Sequence, residues 1–388
     1  MVNESRSYQL WLASIAGMTY ARATTLLKFF DSPKAVYEAT DKLIQATRLD
    51  FSATAIAAKA TAPDQFLELL SKKSIDMISI WDNDYPFQLK EIYQPPVALY
   101  KVGRMPFSDL IKDSIAVVGS RQCSEYGVTT TVKIAKFLAS QGTVLVSGMA
   151  RGIDTYAHKG VLEGGGMTLA VLGCGVDICY PKENLALYEK IKENGAILSE
   201  YGPGVQPRPF HFPMRNRIIS GLTLATVVVE AGLKSGSLIT ADCALEQGKE
   251  VFAVPGNITS GLSAGTNNLI KQGAYLLTDP QEIFQNIAAW SQAVDQDETQ
   301  SGITIQSTVN ITIEETQQQL VNKSPIIDSL TVEEKNIYDK IGQNPIEIDE
   351  IHRQTILDIQ TINHHLTMLE LKGILTRLPG NKYMRTTL

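Results

Sequence analysis

Residues 114–121 read SIAVVGSR, a short run rich in Val and Ile that stops on Gly119-Ser120-Arg121. The run is too short for a helix and has no polar face, which is the pattern of a strand covered on both sides. Taken as Ser114–Gly119, it has five counterparts: Thr143–Ser147, Thr168–Leu172, Ala196–Glu200, Ala225–Val229 and Glu250–Val254. Between them lie segments with helical spacing, such as Val128–Ala139 and Leu238–Gln247. Buried strands joined by helical crossovers predict an α/β fold, a doubly wound parallel sheet, over residues 112–285.

Outward from this core the pattern changes. Residues 75–104 read as a connector: Ile75–Ile80 resembles a short strand, and Asp84-Tyr85-Pro86 and Pro95-Pro96 then punctuate the chain. Residues 8–70 read as helical, with Leu10, Leu12, Ile15, Leu26, Leu27, Phe30, Val36 and Tyr37 spaced like buried helix faces. The turn Ile15–Thr19 gives this part a helix-hairpin-helix or SAM-like look. Turn amides of that kind can hold a DNA phosphate. Here the second Gly of the usual hairpin is missing, because Thr19-Tyr20 follows Met18, so plain helix packing is the stronger expectation.

Residues 291–327 are dominated by Gln, Thr, Ser and Asp and read as a linker. Beyond them, Thr331 and Glu334 have the spacing of a helix N-cap box, and Pro345–Ile351 opens a second helix. A third, around Ile359–Lys372, leads into a hairpin formed by Ile374–Leu378 and Lys382–Met384. Three helices and a hairpin are a winged-helix pattern. Its slightly acidic balance suits protein contact or weak regulation better than strong DNA reading. The expected domains are a helical 1–72, a sheet-bearing 73–290, a linker 291–328 and a winged-helix-like 329–388.

The chain has 388 residues, enough for two or three domains, and is 44% hydrophobic and 20% charged, as in an ordinary globular protein. No stretch approaches a membrane span, and MVNESRSYQL lacks the basic and apolar regions of a secretory signal, so a cytoplasmic setting is expected. Cys123, Cys174, Cys179 and Cys243 form no paired CxxC and have no His at ligand spacing. Reduced, mostly buried thiols and no metal follow. The net charge of −6 excludes a uniformly basic surface but leaves room for a local basic groove.

Open parallel sheets bind ligands beyond the carboxyl ends of their strands. Those ends carry, in order, Gly119-Ser120-Arg121; Gly148-Met149-Ala150-Arg151-Gly152-Ile153-Asp154; Gly173-Cys174-Gly175; Arg208, Phe210, Phe212 and Arg215-Asn216-Arg217; Lys234-Ser235-Gly236-Ser237; and Pro255-Gly256-Asn257 with Gly265-Thr266-Asn267. Glycines let amides approach an anion, and helix starts aim those amides at it. Arg121, Arg151, Arg208, Arg215, Arg217 and Lys234 are expected to converge on one rim, longer than a single nucleotide needs. Phe210 or Phe212, among these cations, suits base stacking on a single strand. Each of these signals has a plainer reading. The two Phe could be core, Arg215 and Arg217 could pair with Glu200 or Glu230, Asp154 reads best as a helix N-cap, and His158 as structural.

There is no GxGxxG, and Ser147 stands where a ribose-binding acid is expected, which argues against NAD. No GxxxxGK[ST] is present and no Ser-His-Asp order or carboxylate pair marks the rim. No cofactor is expected.

Taken together, Gly119-Ser120-Arg121, the block Ser147–Asp154, Tyr180-Pro181, Arg215–Ile219, Ser235–Thr240, Pro255-Gly256 and Gly265-Thr266-Asn267 resemble the DprA/Smf family of DNA-processing proteins. The resemblance spans the sheet-bearing part, and the flanking helical and winged-helix-like (DML1-like) parts fit the family with weaker motifs. It implies a Rossmann-like core, binding of single-stranded DNA without enzymatic activity, loading of the RecA recombinase during natural transformation, and a homodimer through the Rossmann-like domain. By motif position Arg121 matches the arginine of the family's DNA pocket. Phe210, Arg215, Asn216, Ser235, Gly236 and Ser237 fall in the other pocket blocks. With the remaining strand-end residues the expected DNA site is Gly119, Ser120, Arg121, Gly148, Arg151, Gly152, Phe210, Arg215, Asn216, Arg217, Lys234, Ser235, Gly236 and Ser237. The alternatives are a nucleotide phosphoribohydrolase, whose Pro-Gly-Gly-x-Gly-Thr block and following catalytic Glu have no match here, and a winged-helix regulator with a ligand-sensing core.

Overall fold

In the computed structural model the described residues are 4–47, 52–111, 113–287 and part of 335–385. The chain divides into two compact units, one reaching residue 303 and one from 304 onward.

The first unit opens with six helices: α1 (Glu4–Ser14), α2 (Tyr20–Phe30), α3 (Pro33–Glu38), α4 (Asp41–Ala46), α5 (Ser52–Ala58) and α6 (Pro63–Lys72). Thr19, Ser32 and Thr40 start α2, α3 and α4 by accepting a backbone N–H three residues on, which satisfies one of the open donors at each helix start. Trp11, Leu12, Ile15, Leu26, Val36 and Ile44 form a small core of their own. Leu10, Ala13 and Leu70 instead join the core beneath the sheet. At the Ile15–Thr19 turn the Arg22 guanidinium donates to Gly17 O at 2.6 Å, which fits helix packing.

The sheet has nine strands: β1 (Asp76–Ser79), β2 (Ala98–Gly103), β3 (Ser114–Val118), β4 (Val144–Ser147), β5 (Thr168–Val171), β6 (Gly195–Ser199), β7 (Ala225–Val228), β8 (Glu250–Ala253) and β9 (Tyr275–Leu276). Their order is β1-β2-β6-β5-β4-β3-β7-β8-β9. All six strands expected from the sequence are present, paired in parallel, for example Ala116 with both Val146 and Thr226. The crossover helices are α7 (Glu125–Ser140), α8 (Ile153–Glu163), α9 (Leu185–Asn194), α10 (His211–Gly221), α11 (Gly236–Glu246) and α12 (Ala264–Lys271). Two separate apolar clusters, one around Val118, Val146 and Leu198 and one around Ile115, Val117 and Phe252, cover the sheet.

The connector reading of residues 75–104 is corrected. β1 and β2 pair antiparallel, and β2 pairs antiparallel with β6, so the sheet continues past its parallel part. Lys101 interrupts the apolar run of β2 and hides it. In the fold its ammonium is buried, 2.7 Å from Asp76 and above the Phe107 ring.

In the second unit Ile337, Ile341, Ile351, Ile362, Leu366, Leu369, Leu375 and Tyr383 share one core. The expected hairpin is present as β11 (Leu375–Leu378) and β12 (Lys382–Arg385). Ile346–Glu347, expected in a helix, is instead a strand, β10, paired with β12, and the helix begins at Ile348 and runs to Arg353. The expected linker, the Thr331–Glu334 cap and most of the third helix lie outside the described residues. Cys174 is buried, and Cys123, Cys179 and Cys243 are half-buried free thiols. Among the described residues no helix is long and apolar enough to cross a membrane.

Candidate functional site

The strand order reverses at β3, whose neighbours β4 and β7 lead the chain to opposite sides of the sheet. Such a switch point opens a crevice beyond the carboxyl ends of the central strands. A cleft of about 720 Å³ lies there, lined by residues 119–122 after β3, Ala150, Arg151 and Asp154 after β4, Phe212, Arg215 and Asn216 of α10, and Gly232 and residues 234–237 after β7.

The first wall is a tight loop. Ser120 N–H donates to Glu230 O at 2.7 Å, and Ser120 Oγ donates to Gln122 O at 2.6 Å. This leaves Arg121 exposed, with its guanidinium 5.4 Å from the centre of the Phe212 ring. Gly152 sits beneath the same loop at φ +73°, where a Cβ would fall 2.2 Å from Ser120 O. Only glycine meets both demands.

The floor is Arg215. Its Nη1 donates to Gly148 O at 2.9 Å and to Val171 O, and its Nε donates to Asn216 Oδ1 at 3.2 Å. Burial pushes its pKa down to about 10, opposed by the nearby Asp154 charge, so it stays a cation at neutral pH. Asp154 accepts from Gly148 N–H at 3.1 Å and Ala150 N–H at 3.4 Å. Burial pushes its carboxyl up from the ordinary value, while Arg215 and those two amides pull the other way. Gly152, not Asp154, occupies the N-cap position of α8, so the expected cap is in fact a staple on the loop before the helix. His158 is structural, as its place suggested: its Nδ1 pairs with Thr168 Oγ1 at 2.7 Å in the core.

The far wall is the start of α11. Ser235 caps it by accepting Ser237 N–H at 3.4 Å, and Asn216 Nδ2 ties it to α10 through Gly236 O at 3.2 Å. Exposed Lys234 stands beside these amides. A helix start with an adjacent ammonium favours an anion.

Of the sequence-predicted residues, Gly119, Ser120, Arg121, Arg151, Arg215, Asn216, Lys234, Ser235, Gly236 and Ser237 line this cleft, while Gly148 and Gly152 support it from below. Three expectations change. Arg217 points away and holds Glu200 with two bonds of 2.8 and 2.7 Å, so it is not a rim cation. Phe210 is 59% exposed, packs edge-on against His211 and does not line the cleft; the ring that does is Phe212. Arg208 does not line it either, so the six expected cations reduce to Arg121, Arg151, Arg215 and Lys234. Arg151 is itself ion-paired with Glu183, a carboxylate next to Tyr180-Pro181 that no motif in the sequence singled out. Gln122 was missed too, although it directly follows the Gly-Ser-Arg turn.

Fold and cleft together define a Rossmann-like protein with a crevice at its switch point lined by Arg121, Arg151, Arg215 and Lys234. The model of DNA recombination-mediator protein A matches residues 76–288, and that of the DprA winged helix domain matches residues 322–381. The DNA processing protein DprA of Streptococcus pneumoniae is 50% identical over 207 residues, covering 53% of this chain and 72% of that protein. Protein Smf of Synechocystis is 35% identical over 333 residues, 83% of each chain. The crystal structure of the Streptococcus pneumoniae DprA superposes with a TM-score of 0.61 at 40% identity, covering 72% of this chain and 97% of that one. The chain belongs to the DprA/Smf family of DNA-processing proteins and carries that family's winged helix at its C-terminal end.

Proposed function

We propose that the cleft binds single-stranded DNA without catalysing a reaction on it, and that the protein thereby helps load RecA recombinase onto the strand in DNA uptake and recombination. The observation that carries this reading is the exposed Arg121 guanidinium held over the half-buried Phe212 ring, facing the capped start of α11. A cation for the phosphate, a ring for the base and amides for the next phosphate are the parts a single strand needs. A duplex hides its base faces and gains nothing from the ring. Among the described residues the one carboxylate lining the cleft, Asp154, has an oxygen already engaged by two loop amides, which supports a binding role over acid-base chemistry. The recombination-mediator family supports RecA as partner and a cytoplasmic setting. A homodimer through the sheet-bearing unit has apolar surface available in Leu245 of α11 and Leu276 of edge strand β9.

Gel shifts with oligo-dT and a duplex of equal length test the reading. The single strand binds more tightly, and affinity falls steeply between about 50 and 200 mM salt as counterions are released. Arg121→Ala weakens binding to every single-stranded sequence alike. Equal affinity for both DNA forms defeats the proposal.

A further inference from the structure

We propose that Tyr126 is a second base platform, extending the track from the cleft past Arg121 toward the loop that follows β8; this rests on the single-strand reading of the cleft. Tyr126 lies in the first turn of α7, and that turn is fixed with unusual care. Ser124 Oγ donates to Glu230 Oε1 at 2.5 Å, Ser124 N–H donates to Oε2 at 2.8 Å, and Ser124 Oγ accepts Gly127 N–H at 3.2 Å. Glu230 is buried, and its backbone oxygen is the same atom that holds Ser120. Arg121 and Tyr126 therefore hang from one anchor.

The other end of the ring is held as well. Tyr126 OH donates to Pro255 O at 2.9 Å. The loop after Pro255 is rigid: Gly256 N–H donates to Asn267 Oδ1 at 3.2 Å, and Asn267 Nδ2 donates to Gly256 O at 3.0 Å. The same loop reaches the cleft at Leu262, whose oxygen accepts Ala231 N–H at 2.8 Å. Although tethered at both ends, Tyr126 is 50% exposed, and Ile258 on the same loop is 93% exposed. A core tyrosine would hide its ring. A ring held still in the open has already given up its rotational freedom, so stacking a base on it costs little entropy. Its attachment to the same Glu230 anchor as the Arg121 loop, and to the loop that reaches the cleft at Leu262, points to a nucleobase of the same strand as the occupant.

The test uses the full chain with a short oligo-dT that fills only the cleft, a long oligo-dT, and a long oligomer abasic outside the cleft-bound nucleotides. Tyr126→Ala is expected to weaken the long oligomer about ten-fold, within the range of one stacked base. It leaves the short oligomer within two-fold. The long oligomer shifts in parallel at all salt concentrations, whereas Arg121→Ala lowers the salt slope by about one. Tyr126→Phe stays within two-fold of the parent, and the abasic oligomer shows no further loss with Tyr126→Ala. If Tyr126→Ala fails to fold, the parent protein alone decides: equal affinity for the long and the abasic oligomers overturns the platform. Unchanged binding of the long oligomer, or an equal loss on both lengths, also overturns it while leaving the cleft intact. Failure of the parent protein to bind oligo-dT overturns the single-strand reading itself.

Discussion

Arg215 and Arg217 stand two positions apart on α10 and serve different ends, which burial and partners decide. Arg217 neutralises Glu200 and ties α10 to Gln94 O at 3.0 Å. Arg217→Met strands a largely buried carboxylate and is expected to lower stability by about 3 kcal/mol, read as a fall in the urea midpoint. The salt slope of oligo-dT binding stays at the parent value, and a drop of one in that slope would contradict this assignment. Glu183 makes the opposite case. Its carboxylate occupies Arg151 at the cleft edge, and the pair holds the Arg151 pKa above and the Glu183 pKa below their ordinary values. A phosphate has to displace Glu183 or share its partner. Glu183→Gln is expected to tighten oligo-dT binding a few-fold at low salt and little at high salt, measured by fluorescence anisotropy. The sequence offered Glu200 as a partner for either Arg215 or Arg217 but did not say which would take it, and it gave no sign of the Arg151–Glu183 pair. Arg215-Asn216-Arg217 presents two identical cations, and only the fold shows that one faces the crevice and the other Glu200. Phe210 and Phe212 were ambiguous for the same reason, since two residues on a helix differ by about 200° in direction.

At the level of elements, α8 and β5 are joined by the buried pair of His158 and Thr168. Thr168 Oγ1 donates to Leu145 O at 2.8 Å, so it accepts from the imidazole, which is neutral. Burial pushes the His158 pKa down to about 3, from 6.5, with Arg215 acting in the same sense. Above pH 6.5 both folded and unfolded states hold a neutral ring and the residue contributes no pH dependence. Below it the unfolded chain gains a proton that the folded chain refuses, so stability falls from pH 6.5 toward 3. The loss reaches about 2 kcal/mol near pH 5. Urea midpoints at pH 7 and pH 5 check this: His158→Gln is expected to flatten the acid slope, and an unchanged slope contradicts the assignment. Elements were the most legible level. Strands buried on both faces announce themselves as continuous apolar runs, and all six of the central parallel strands do so. β2 was hidden by Lys101, whose charge is matched by Asp76 from a strand more than twenty residues away. β10 was hidden because two residues carry no periodicity of their own, and their strand character comes from β12.

Across the whole molecule, a net charge of −6 coexists with a cationic crevice because the topology, not the composition, collects Arg121, Arg215 and Lys234. The reversal of strand order at β3 brings together loops separated by more than a hundred residues. This crossing was legible as a principle, since all six strand ends carried glycines or amides and four of them carried cations. Which ends meet depends on strand order, which no local pattern records. Photo-crosslinking tests the cleft at this scale. Oligo-dT carrying 5-iodo-deoxyuridine is bound to the full chain, irradiated, and the adducts are mapped by mass spectrometry. The account expects the principal adduct on Phe212, lost when excess unlabelled oligo-dT competes. Adducts confined to residues 335–385, or to the β9 edge of the sheet, with none on the cleft, would contradict it.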